Sequence, residues 1–142
     1  ESPYLKSFLL NKGTRDGVLK GMTVFSKKYL IGTIIESNYL TSRVLLINDL
    51  NSRIPVIIEN SSVNAILTGL GKDNSLELQY LPEQFQLSAG KNIYTSGKDG
   101  ILAAGIPVGV TYVDKKDQIK VRTLADLNQA LFVNVTNGQF RN

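Results

Sequence analysis

The 142-residue chain contains neither cysteine nor histidine, and the two absences exclude different things. Without cysteine there is no disulfide staple and no thiolate metal site, although no compartment follows from that alone. Without histidine the usual general base and commonest metal ligand are missing. Ser/His/Asp and Cys/His triads cannot be built, and a zinc site would need an all-carboxylate shell. Long apolar runs are lacking too, none approaching the length that spans a bilayer. The chain opens on Glu1-Ser2-Pro3-Tyr4, with no initiator methionine and no signal-peptide pattern, and so reads as a fragment whose targeting segment lies elsewhere.

Runs of like charge are equally scarce. Sixteen Lys and Arg against twelve Asp and Glu give a net charge of +4, which invites a nucleic-acid or anionic-membrane reading. The cations are dispersed from Lys6 to Arg141, with no run longer than Lys27-Lys28 or Lys115-Lys116. A solvated surface of mixed sign is the simpler expectation, with a patch assembled only in three dimensions as the alternative.

What is present is a β pattern. Apolar residues make up 42% of the chain and charged residues 20%, enough for a real core at this length. Short runs of Val, Ile, Leu and Tyr are cut every eight to twelve residues or so by Gly, Asn, Asp or Lys clusters, the signature of barrels and sandwiches. The first half predicts strands at Phe8–Asn11, Met22–Ser26, Leu30–Glu36, Arg43–Ile47, Ile54–Glu59 and Ala65–Thr68. The second half predicts Leu76–Tyr80, Asn92–Thr95, Pro107–Val113, Gln118–Arg122 and Leu131–Val135. Only the first residues, through Leu5, Phe8 and Leu9, have helix-face spacing, and Leu124–Asn128 has the length of one helical turn.

Two internal echoes suggest duplication. Asp16-Gly17-Val18-Leu19-Lys20-Gly21-Met22-Thr23-Val24 returns, one residue longer, between Asp99 and Val108. Val44 to Val56 aligns without gaps on Val121 to Val133 and keeps an internal Asp-Leu-Asn, Asp49-Leu50-Asn51 and Asp126-Leu127-Asn128. Two similar small β units and one duplicated barrel both fit. The glycines suit tight turns with positive φ, and none stands in a phosphate-binding spacing followed by a helix.

Chemical candidates are few. Ser96 and Lys98 have the residue types of a Ser–Lys dyad, but a lysine in a polar turn keeps its proton, whereas a general base must be desolvated. Asp114 and Asp117 flank Lys115-Lys116 at a hairpin tip, and Asp16, Asp49, Asp99 and Asp126 stand where Asp caps or turns a backbone. The aromatics Phe25, Tyr29, Tyr39, Tyr80, Phe85, Tyr94, Tyr112 and Phe132 are scattered rather than interleaved with cations, unlike a base-stacking platform. Phe85 and Leu87 are the residues less easily absorbed into a core. They lie in a connector bounded by Pro82 and Gly90, and are the candidates for an exposed partner contact, the alternative being that they anchor the loop.

The ordered series Leu10 to Val24, Leu30 to Glu36, Thr41 to Asp49, Gly69-Leu70-Gly71, Leu76 to Pro82, Ala89-Gly90, Thr95-Ser96-Gly97 and Gly105 to Gly109 resembles the MreC family of rod shape-determining proteins. The resemblance runs from about Leu9 to Val135. Ala103-Ala104 stands where an aromatic and Pro are usual in the family, and Lys91-Asn92 where an acidic residue is, which leaves the strand pattern intact. The resemblance implies an all-β chain of two similar small barrels, trypsin-like but without catalytic residues, behind the end of a coiled-coil helix. The units expected are residues 1–8 for the helix end or linker, 9–64 for the first barrel and 65–142 for the second, with terminal strands able to cross between them. It further implies a non-enzymatic periplasmic scaffold without cofactor or metal, held to the inner membrane by a segment outside this chain. Such a scaffold self-associates and contacts MreD, the elongation-specific transpeptidase and the MreB system, and binds no nucleic acid. A basic tandem-barrel nucleic-acid module and a Ser–Lys hydrolase are the alternatives.

Overall fold

A computed structural model describes residues 6–98, 100, 102–127 and 134–136, and places in them eleven strands. In chain order these are β1 (Ser7–Leu10), β2 (Thr23–Ser26), β3 (Tyr29–Ser37), β4 (Ser42–Leu46), β5 (Arg53–Ile58) and β6 (Asn64–Gly69). They continue as β7 (Ser75–Gln79), β8 (Asn92–Thr95), β9 (Pro107–Val113), β10 (Ile119–Thr123) and β11 (Asn134–Thr136). Every one coincides with or overlaps a segment read from apolar alternation. The physical reason shows in β5, where Ile54, Val56 and Ile58 are buried while Arg53 is exposed, as a pleat with one inward face requires. The helix expected near the start is instead strand β1 over the described part, with Phe8 paired to Val44; sheet pairing overrides a weak helical spacing. Leu124 and Ala125 form a bend, and Asn128 lies outside the described residues.

All pairings are antiparallel. One sheet has the order β1-β4-β3-β2-β11; the other closes on itself as β10-β7-β6-β5-β8-β9. Followed round from β7, the barrel runs β7-β10-β9-β8, the same relative order as β1-β4-β3-β2; β5 then stands where β11 stands in the open sheet, and β6 is the extra strand that joins β5 back to β7. The two units are thus similar in strand order, but among the described residues only the second is a closed barrel.

This order relocates the division between units. β5 pairs with β6 and β8, so sheet membership changes between Leu46 and Arg53, ahead of residue 64. β11 returns to pair with β2 in the first sheet. Alternation reveals which face of a strand is buried but not which sheet it joins, so β5 could not be assigned from its own residues. The Asp-Leu-Asn echo matches this exchange, since Asp49-Leu50-Asn51 follows β4 into the barrel and Asp126-Leu127 follows β10 on the way to β11. Residues 128–133 lie outside the described residues. The Asp-Gly echo does not mark equivalent strands, because Gly17 and Gly21 lead into β2 whereas Gly100 and Gly105 lead into β9, the counterpart of β3. What it repeats is a turn. Gly21 (φ 94°) donates to the Ile34 carbonyl at 2.8 Å and Gly105 (φ 81°) to the Thr95 carbonyl at 2.8 Å, each capping the hairpin partner of the strand that follows.

Both sheets share one core. Val24, Leu30, Ile31, Ile34, Val44 and Ile47 belong to the same buried cluster as Ile54, Val56, Ile58, Leu67, Leu76, Ile93, Val108 and Val121. Strands β3 and β9 pack across the junction, where the Ala103 N–H donates to Thr23 Oγ1 at 3.4 Å in a buried position.

The crossover from β4 to β5 is clamped. Asp49, fully buried, accepts the backbone N–H groups of Lys6 and of Asn51, the latter at 2.7 Å. Asn48 donates from Nδ2 to the Asp73 carbonyl at 2.6 Å, and its own carbonyl accepts the Gly71 N–H at 2.8 Å. Gly69 lies so close that a Cβ there would stand 2.3 Å from the Asn48 carbonyl carbon and 2.3 Å from the Asp49 oxygen. Because both are backbone atoms with no room to yield, Gly69→Ala is expected to destabilise the fold by about 2–4 kcal/mol. Asp49→Ala, which takes the acceptor from two part-buried backbone donors, should cost about 1–3 kcal/mol. Urea unfolding should show one cooperative transition in each variant; a biphasic curve would mean that the two sheets fold independently.

Candidate interaction surfaces

The segments that looked chemical are turns. Ser96 Oγ accepts the Lys98 backbone N–H at 3.2 Å while its own N–H donates to the Pro55 carbonyl at 3.0 Å, the local bonding of a serine turn. The Lys98 side chain is exposed. Asp16 accepts the Gly13 N–H at 3.1 Å, and Asp49 is the buried clamp already described. Asp99 lies outside the described residues. No group of three or more Asp or Glu with metal-binding proximity occurs among the described residues.

Phe85 and Leu87 are half-buried and pack against the common core together with Leu81, while Gln84 and Gln86 between and beside them are exposed. The Phe85 N–H donates to the Pro82 carbonyl at 3.1 Å, so a turn fixes the local backbone of the connector. Both side chains therefore hold the connector onto the core. Exposed apolar groups occur elsewhere. The η1 turn (Thr14–Asp16) is tied to the β3–β4 loop by Thr14 N–H to the Asn38 carbonyl at 2.8 Å and Arg15 N–H to the Tyr39 carbonyl at 3.1 Å. These adjoining loops carry Tyr39 at 66% exposure, Leu40 at 50% and, just beyond, Leu19 at 52%. Bulky apolar groups on a tied-down surface are what a partner desolvates.

A second surface is electrostatic. On the barrel, a groove of about 740 Å³ runs between the β9–β10 hairpin and the β6–β7 loop. Alternation on β10 turns Val121 inward and puts Lys120 and Arg122 on the outer face, where Lys115 and Lys116 of the hairpin tip and Lys72 of the β6–β7 loop join them. Asp73 and Asp114 are the carboxylates in the lining. Arg122 lies diagonally across the ladder from Tyr112, and its guanidinium stacks 3.9 Å from the ring centroid. The Tyr112 hydroxyl is in turn hydrogen-bonded to Ser75 Oγ at 2.7 Å. A search for consecutive cations could not find this patch, because its members come from three separate segments; the signal was the alternation Ile119-Lys120-Val121-Arg122-Thr123.

Asp114 shapes one end of the groove. Its Oδ1 accepts the N–H groups of Gln118 and Lys116, both at 2.9 Å, and its Oδ2 lies 3.7 Å from Lys120 Nζ. The Gln118 N–H above all holds the carboxyl below its usual range, helped by Lys116 and Lys120 and opposed by burial. At the seam where β5 meets β8, Glu59 Oε1 accepts the Asn92 backbone N–H at 2.8 Å and its Nδ2 at 3.2 Å. The backbone bond is the main reason that Glu59 too is held below its usual range.

With this geometry in place, comparison with known proteins assigns the relatives. The family model described as rod shape-determining protein MreC, barrel core, matches residues 1–137. The cell shape-determining protein MreC of Cereibacter sphaeroides is 36% identical over 94% of this chain, and that of Escherichia coli 32% identical over 99%. The chain spans 44% and 40% of those two proteins. The crystal structure of MreC from Pseudomonas aeruginosa superposes with a TM-score of 0.82 at 28% identity, covering 95% of this chain and 90% of that one. A structure of the complex between penicillin-binding protein PBP2 and MreC from Helicobacter pylori shares the fold, with a TM-score of 0.63 at 18% identity over 83% of this chain and 78% of that one.

Two outcomes follow from the side-chain geometry. Phe85→Ala combined with Leu87→Ala removes two anchors from the core edge and should lower stability by about 2–4 kcal/mol, a melting shift of about 10 °C by calorimetry. An unshifted transition would place both side chains in solvent. Because the folded-state pKa values of Asp114 and Glu59 are depressed, their stabilising bonds are complete above the ordinary carboxylate range and are lost as pH falls through the depressed values. The amide proton shifts of Gln118 and Asn92 should therefore titrate with midpoints below those of free Asp and Glu, and Asp114→Asn should abolish the Gln118 titration. Midpoints at the ordinary values would show that the bonds do not persist in solution.

Proposed function

The chain belongs to the MreC family of rod shape-determining proteins, and on that premise we propose that it is the extracytoplasmic β region of a non-enzymatic scaffold for cell-wall elongation. The observation that carries this reading is the family match over residues 1–137. The fold agrees with it: the chain passes from one sheet into the barrel and back around one core, which favours a rigid body that presents surfaces rather than a cleft that closes on substrate. In this reading the protein acts on the periplasmic side of the inner membrane and is anchored by a segment outside this chain. It contacts the elongation-specific transpeptidase, as the named Helicobacter pylori complex supports, and also MreD, the MreB system and further copies of itself.

The apolar surface on the adjoining loops of the first sheet is the proposed transpeptidase contact, with Tyr39 and Leu40 as its anchors. The connector of Phe85 and Leu87 remains a proposed contact of the second unit, where those two side chains hold it in place and Gln84 and Gln86 face outward. In full-length protein, Tyr39→Ser with Leu40→Ser should weaken transpeptidase binding about tenfold or more, because interface energy concentrates in a few desolvated anchors. Melting should be unchanged, since both residues are exposed. Biolayer interferometry against the purified transpeptidase measures the first and differential scanning fluorimetry the second. If the unmodified full-length protein binds neither the transpeptidase nor any other elongation protein, the scaffold reading is wrong.

A further inference from the structure

The basic groove of the barrel is more organised than a solvated charged face. Among the described residues its ion pair is Lys120 with Asp114, which leaves Lys72, Lys115, Lys116 and Arg122 without a carboxylate partner. Free lysines are ordinary, but Arg122 is not free to wander. Its guanidinium is held over the Tyr112 ring, and Tyr112 is bonded to Ser75 of β7, the strand on the far side of β10. A guanidinium held against a ring has fewer orientations open to it, and its N–H groups remain available for the two parallel bonds that a carboxylate accepts. Little conformational entropy is then lost when an anion arrives.

We propose that this groove docks an acidic, extended segment of a partner protein, with Arg122 as its anchor and Tyr112 as the residue that positions it. The proposal deepens the scaffold reading by giving the chemistry of one partner segment, and it rests on that reading. Charge complementarity selects the occupant: five cations face two carboxylates along the lining. The interspersed Asp73 and Asp114 oppose a polyanion with one charge per repeat, whereas a peptide can place acidic side chains on the cations and neutral ones beside the aspartates. Tyr112 has a ring face covered by Arg122 and so offers a poor platform for a base. A concave groove also fits a chain better than it fits the plane of a bilayer. The strands beside it, β7, β9 and β10, are each paired on both sides in the closed barrel, so the segment is read by side chains and not by strand addition.

The test is fluorescence anisotropy with a labelled Asp/Glu-rich peptide of about ten residues, its Asn/Gln counterpart, a single-stranded oligonucleotide and phosphatidylglycerol vesicles as separate probes. The acidic peptide should bind and its amide counterpart should not. Arg122→Gln should weaken the acidic peptide about tenfold, and Arg122→Lys and Tyr112→Phe by less, because charge or ring is retained while the fixed fork is lost. Should Arg122→Gln fail to fold, Lys115→Gln with Lys116→Gln at the hairpin tip must show the same selective loss. Equal binding of the two peptides, indifference to Arg122→Gln, or tighter binding of the oligonucleotide or the vesicles overturns the proposal. If that happens while the full-length protein still captures elongation proteins, only the groove assignment falls. If the full-length protein captures none of them, the scaffold reading falls and this proposal with it.

Discussion

The chain leaves one sheet and enters the other through a segment of six residues, 47–52, and the rest of the architecture depends on how that passage is held. Asp49 has no exposed surface, so its carboxylate must find its hydrogen-bond donors within the protein. It finds them in the Asn51 N–H beside it and the Lys6 N–H just before β1, which ties the crossover to the edge strand of the first sheet. On the barrel side the same segment rests on bare backbone at Gly69 and is bonded to Gly71 and Asp73. Buried polar contacts of this kind add little net stability, but they are costly to misplace, and so they specify one path for the chain.

Fixing that path settles which strands share a sheet. Once β5 is committed to the barrel it supplies the partner for β8, and β6 can close the cylinder back to β7. The complementary passage of the chain back to β11 gives the first sheet a strand beside β2. The barrel then takes β5 to β10 in one stretch while β11 rejoins the first sheet, and the core is continuous between them. Relative motion of the sheets would open the common core and strain the segments that connect them, rather than slide one independent surface over another. Such a body keeps distant surfaces at a fixed separation, the mechanical property that a scaffold needs.

Strands were legible in the sequence because their signal is local. The alternation in Leu76-Glu77-Leu78-Gln79 is a property of four consecutive residues, and the burial of Leu76 agrees with it. Sheet membership is not local, and so the sequence division at residue 64 put β5 with the strands before it although its ladders join those after it. The Asp-Leu-Asn echo carried the missing information, since it repeats at both passages between sheets; the Asp-Gly echo, one strand out of step, repeats only a turn with left-handed glycines. The interaction surfaces were harder still. A connector with bulky apolar residues looks the same in sequence whether Phe85 and Leu87 point in or out, and their packing against the core is a tertiary property. Dispersed cations likewise conceal a patch that three segments assemble.

That patch and the crossover are not independent features. Asn48, inside the passage between sheets, donates to the carbonyl of Asp73, and Gly71 donates back to Asn48, so the loop carrying Lys72 and Asp73 is pinned by the same residues that route the chain. On the other side of the groove Asp114 organises the hairpin tip through the backbone of Lys116 and Gln118. Between the two walls, Tyr112 and Ser75 fix Arg122 from paired strands. Long cationic side chains on unsupported loops bind anions weakly, because each must be immobilised at the moment of contact. Here the backbone beneath the lysines and the place of the arginine over its ring are set in advance by the requirements of the fold. The polar residues buried at the junction therefore serve twice: they choose the topology, and they hold one wall of the basic groove proposed to dock an acidic segment.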